Sequence, residues 1–129
     1  MAIENQLVNA NFQVYVIIAE TLQAWQNLNT DLGKKVLEQH YAWGSQLKQN
    51  EQLILAGPLD FELTSTGKIN ANGHTTGIIM LKAKNREQAK SIASQDPFHL
   101  NGFRKNVVYS MNIRMTQADI FNTLNNLIK

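Results

Sequence analysis

The chain contains no cysteine among its 129 residues. That single absence removes disulfides, thiolate nucleophiles, zinc held by cysteine and cysteine-ligated clusters. Long apolar runs are missing as well. The longest, Phe12 to Ala19, is far shorter than the ~20 residues that a membrane-spanning helix needs. The segment before it carries Glu4 and neither lysine nor arginine, so it does not read as a secretory leader. A cytoplasmic location without membrane contact is therefore expected. Charge of one sign is not in excess either: the net charge is +2, and acidic and basic residues are mixed along the chain. The densest basic stretch, Lys82, Lys84, Arg86 and Lys90, has no interleaved aromatics. It reads as a solvated strand end and helix face, and no nucleic-acid partner is expected.

Several chemical signatures are also absent. No phosphate-binding loop, dinucleotide fingerprint or Gly-x-Ser-x-Gly elbow occurs. Three dispersed histidines, His40, His74 and His99, lack the close spacing of a metal site, so neither a metal nor another cofactor is expected. His74 and His99 fall near loops and are read as solvated. Any catalysis by this chain is expected to move protons rather than to form a covalent intermediate.

What remains is a composition of ordinary globular type, 43% hydrophobic and 17% charged, at a length suited to one domain over residues 1–129. The β-branched and aromatic run Phe12 to Ala19 predicts a buried strand. The polar stretch Glu20 to Asn29, which holds Trp25, is left open. Thr30 and Asp31 offer an N-cap to a helix from Leu32 to Asn50, with a stripe of Leu32, Val36, His40, Trp43 and Leu47. Asn50 suits the helix end because it tolerates left-handed geometry.

Leu53 to Ala56 predicts a second strand closed by Gly57 and Pro58, with Leu59 to Leu63 as a possible continuation beyond the kink. Thr64 to His74 reads as the tip of a long hairpin, and Gly77 to Ala83 as the third strand. Asn85 with Gln88 resembles a capping box opening a second helix, with Ala89, Ile92 and Ala93 on its apolar stripe and its end at Asp96. Val107, Tyr109, Met111 and Ile113 alternate with more polar neighbours and predict a fourth strand. Residues 116–129 place Ile120, Phe121, Leu124, Leu127 and Ile128 on one side of a short terminal helix.

The order β-α-β-β-α-β favours an α+β, ferredoxin-like protomer: a four-stranded antiparallel sheet with both helices on one face. The other face is left open, and an apolar open face is commonly covered by a second copy, so a homodimer is expected.

Two polar residues fall on predicted inward faces, His40 and Asp96. Pro97 stops the second helix, which leaves a carboxylate at an end of partial negative charge, in need of a positive or protic partner. His40 is the well-placed candidate. It could act as general base with Asp96 orienting its ring. Equally, the two could form a structural bond between helices, or Asp96 could cap a turn through the N–H of Phe98 or His99. Trp43 and Phe98 are read as packing residues that could also line a pocket, beside Pro58. Tyr41 and Tyr109 could supply a phenolic proton but read as half-buried core.

His40-Tyr41-Ala42-Trp43, then Leu53-Ile54-Leu55-Ala56-Gly57-Pro58, Gly77, Glu87-Gln88-Ala89 and Asp96-Pro97-Phe98 together resemble the YCII-related (YciI-like) family, over a core of about residues 12–113. The resemblance implies a dimeric α/β barrel built on a ferredoxin-like protomer, with an active site made by His40 and Asp96. Most members have no assigned reaction. A few related proteins act on small cyclic or aromatic compounds, including dehydrochlorination, and the wider superfamily includes muconolactone isomerases. The implied function is proton abstraction, isomerisation or elimination on a small ring compound; the alternative is a non-catalytic ligand-binding or accessory homodimer with a structural His–Asp contact. The sequence departs from the family pattern at Glu51, where a glycine is common, in a longer first connection and central loop, and in the terminal helix.

Overall fold

In the computed structural model, residues 13–70 and 76–114 are described. The expected terminal helix and His74 lie outside them. β1 spans Gln13–Thr21; Val14, Val16, Ile17 and Ile18 branch at Cβ and suit a pleated surface better than a helix. The stretch left open by sequence forms a 3-10 segment, Gln23–Asn27, that buries Trp25. α1 spans Asp31–Gln49, opened by Thr30, whose hydroxyl accepts from the Gly33 amide. β2 spans Leu53–Leu59 and β3 Thr76–Ala83. α2 covers Arg86–Ser94, α3 is the single turn Pro97–Leu100, and β4 runs over Arg104–Ser110. None of the described helices is long and apolar enough to cross a membrane.

All strand pairs are antiparallel, in the order β2-β3-β1-β4. The chain is thus an α+β, ferredoxin-like fold. Alternation along a strand gives the sheet two unlike faces. Tyr15, Ile17 and Ala19 lie level with Leu81, Ile79 and Gly77 on β3, and Ile17 and Ala19 with Val108 and Asn106 on β4. This is the helix side. Ile17, Leu81, Ile79, Leu47, Ile92 and Ala93 form one core cluster there, and Trp25, Leu28, Val36, Phe98 and Phe103 a second. Each large aliphatic side chain removed from water contributes about 1.5–3 kcal/mol. The opposite face presents Val16, Ile18, Ile78, Met80, Val107 and Tyr109, all half-buried or exposed.

Four sequence expectations change. Gly57-Pro58 does not close β2: the strand continues to Leu59, because β2 is an edge strand, where a proline's missing N–H costs no ladder bond. Leu32 is not on the buried stripe of α1 but 63% exposed. Gly33 takes the inward position, and a β-carbon there would collide with the carbonyls of Asn27 and Leu28. The left-handed residue after α1 is Glu51 at φ 57°, while Asn50 stays at φ −80°. In β4, Val108 rather than Val107 or Tyr109 packs into the core, so the buried phase of that strand is Arg104, Asn106 and Val108.

Candidate functional site

Asp96 does not sit at the frayed end of one helix. It is the N-cap of the next. α2 stops at Ser94, and Pro97 begins α3 at a position where its missing N–H is no loss. Asp96 Oδ1 accepts from the Phe98 amide at 3.0 Å. The same Oδ1 lies 2.7 Å from His40 Nδ1. Capping and pairing, alternatives in the sequence, are carried out by one carboxylate oxygen.

The other oxygen is also taken. Asn106, from the buried phase of β4, donates from Nδ2 to Asp96 Oδ2 and to the Ala93 carbonyl, both at 3.0 Å. With a side chain 0% exposed, Asp96 would be raised in pKa by burial. The hydrogen bond and charge of His40, with the Asn106 and Phe98 bonds, outweigh this and hold it below its ordinary value. Asp96 is therefore a carboxylate and can only accept, so Nδ1 of His40 carries a proton, and in the neutral ring Nε2 is the nitrogen that keeps its lone pair.

Packing fixes the ring further. His40 stacks on Phe98 with centroids 4.2 Å apart and lies 5.7 Å from Trp43. Its position on α1 follows from Val36 and Leu47, buried on the same helix four residues before it and seven after. His99, read as solvated, is half-buried instead, and its Nδ1 accepts from the Asn106 amide at 3.1 Å. Tyr41 and Tyr109 are not half-buried core: they are 61% and 54% exposed.

A cavity of about 380 Å³ opens beside His40, with Trp25, Trp43, Pro58, Phe98 and Arg104 among its lining residues. Its size and aromatic walls suit a small ring compound. Arg104 was not singled out by sequence: it shares the buried side of β4 with Asn106 and Val108, while the more apolar Val107 and Tyr109 point to the other face. Its guanidinium lies 4.3 Å from the Trp25 ring centroid and 5.1 Å from that of Phe98. Burial lowers its pKa, opposed chiefly by the charge of Asp96; a guanidinium nonetheless stays protonated in a protein. Among the described residues, Arg104 Nε and Trp25 Nε1 are buried without a hydrogen-bond partner. No group of three or more described His, Asp or Glu residues is arranged to hold a metal ion.

A family model, the YCII-related domain, matches residues 14–112. Among solved structures, the chain is similar to the 5-chloro-2-hydroxyhydroquinone dehydrochlorinase TftG of Burkholderia phenoliruptrix AC1100, in complex with 2,5-dihydroxybenzoquinone. The identity is 17% and the TM-score 0.51, over 82% of this chain and 96% of the other, which establishes likeness of fold. No curated protein matches the chain.

Proposed function

Because the chain belongs to the YCII-related domain family, we propose that it is a small-molecule enzyme in which His40 is the general base and Asp96 its orienting partner. The observation that carries this reading is the 2.7 Å Nδ1–Oδ1 bond at the edge of a cavity with aromatic walls. The bond fixes the tautomer that leaves Nε2 basic. The cavity supplies room for a planar ring.

In the proposed step, Nε2 takes a proton from a substrate carbon or hydroxyl, and the imidazolium so formed is stabilised by the Asp96 carboxylate. In an elimination, the electron pair released expels an anionic leaving group. In an isomerisation, the same proton returns to a different carbon. The fold neighbour named above is a dehydrochlorinase of an aromatic substrate, which makes chlorinated and hydroxylated rings the first compounds to screen. Replacing His40 by alanine should abolish turnover of a substrate so found while the protein stays folded. Full activity in that variant overturns the assignment and leaves the contact as a structural bond between helices.

We also propose that the protein functions as a homodimer, with a second copy covering the apolar sheet face of Val16, Ile18, Ile78, Met80 and Val107. These side chains are only half-buried in the single chain, and burying them against a copy removes apolar surface from water.

A further inference from the structure

We infer that Arg104 and Trp25 form an anion subsite within the cavity, which takes an aromatic ring carrying an anionic oxygen, a carboxylate or an ionised phenol. Arg104 is 7% exposed, and a guanidinium at that depth ordinarily has a carboxylate against it. Among the described residues no carboxylate forms an ion pair with it, and the nearby Asp96 is paired with His40 instead. Asp96 acts on Arg104 only through its charge. Its oxygens are engaged by His40, Phe98 and Asn106.

Cation–π contact with Trp25 and Phe98 favours the charge but accepts no hydrogen bond from Nε, which lies in the plane of the fork. Trp25 Nε1, a donor and nothing else, is likewise without a partner. Both residues line one cavity, and of its two cationic residues Lys48 is exposed while Arg104 is buried, so an anionic group is the best match for the unpaired guanidinium. The floor is kept clear for the guanidinium by Gly77: a β-carbon there would lie 2.8 Å from Nη1 and 3.3 Å from Cζ. Pro58, level with Gly77 on the neighbouring strand, and Phe98 supply apolar walls for the ring.

The subsite lies in the cavity of the proposed enzyme and names its substrate class, so it rests on that reading for its biological meaning; its binding chemistry does not require turnover. The test is calorimetric titration of the full chain, at low salt, with benzoate against benzamide and para-nitrophenolate against para-nitroanisole. At least one anion should bind about tenfold or more tighter than its neutral counterpart, the scale expected of one charge-assisted hydrogen bond. The anion that shows the preference identifies which oxygen is read. Arg104→Met should abolish that preference, and Arg104→Lys, which keeps the charge but loses Nε and the planar fork, should weaken it. His40→Ala should keep it, which separates failure of the base assignment from failure of the subsite. Equal affinities for both members of both pairs overturn the inference. So does an undiminished preference in either folded Arg104 variant, because an arginine that merely props two aromatic rings affects stability without affecting anion choice.

Discussion

Arg104 lies across Gly77 so closely that a β-carbon on residue 77 would sit 2.8 Å from Nη1 and 3.4 Å from the Ala19 β-carbon. The glycine is thus required by a neighbour rather than by its own backbone, since its φ is not positive. Gly77→Ala should force the guanidinium aside and destabilise the fold by about 1–3 kcal/mol, as overpacking does. Denaturant unfolding in a double-mutant cycle with Arg104→Ala checks the cause. If the contact is responsible, the alanine penalty shrinks once the guanidinium is gone.

The shared oxygen of Asp96 separates two roles by experiment. Asp96→Ala removes the acceptor for His40, Phe98 and Asn106 together and should cost about 2–4 kcal/mol. Asp96→Asn keeps a side chain that caps a helix equally well, so its stability loss should be smaller. Its turnover of a true substrate should nevertheless fall roughly 10²–10⁴-fold, because a neutral amide no longer fixes the tautomer or stabilises the imidazolium. Parallel loss of stability and activity in both variants would instead favour a purely structural carboxylate.

The pH dependence of stability follows from the direction of the Asp96 shift. Its folded pKa lies below the ordinary value of an aspartate, so the unfolded chain binds more protons as pH falls through the carboxylate range. The stabilisation is complete above about pH 4–5 and is lost as pH falls through the folded value. Urea midpoints measured from neutral pH downward should fall more steeply for the native chain than for Asp96→Asn, which has no carboxylate at that position. Parallel curves would mean that Asp96 gains nothing from its partners.

The contact of His40 with Asp96 was legible because His40 is a polar group on an otherwise apolar stripe of α1, and Pro97 marks where the chain turns beside the carboxylate, although that carboxylate caps α3 rather than ending α2. The element order was legible from β-branched runs and turn residues, and with it the ferredoxin-like topology. Arg104 and Asn106 were hidden by the phase of β4. Val107 and Tyr109 look like the core-facing set, yet they lie on the open face, and the inward set carries two polar side chains that only the tertiary site explains. Trp25 escaped for another reason: no 3.6- or 2-residue period runs through a 3-10 segment of five residues.

Glu51 adopts φ 57° directly after α1, a conformation that costs a side chain bearing Cβ but not glycine. Its amide closes the helix onto the Lys48 carbonyl, so the backbone there is held by the helix end. Glu51→Gly should therefore stabilise the fold by up to about 1 kcal/mol, the relief of the left-handed cost less the added flexibility of the unfolded chain. The check is a higher denaturant midpoint with an unchanged slope. A lower midpoint would show that the glutamate is held by something other than backbone geometry.

Ile18 sits near the middle of the open sheet face, level with Ile78 on β3 and Val107 on β4. If a second copy covers that face, a charge at its centre must be desolvated in the dimer but not in the monomer. Ile18→Glu should then dissociate the protein, and Tyr109→Glu, at a position 54% exposed and so tolerant in the single chain, should weaken the dimer without unfolding the protomer. Light scattering after size exclusion reads the mass, and far-ultraviolet circular dichroism reads the fold. A stable interface buries about 800 Å² per partner. A native chain that stays monomeric at high micromolar concentration would remove the sheet face as a self-docking surface and leave the cavity beside His40 complete within one protomer.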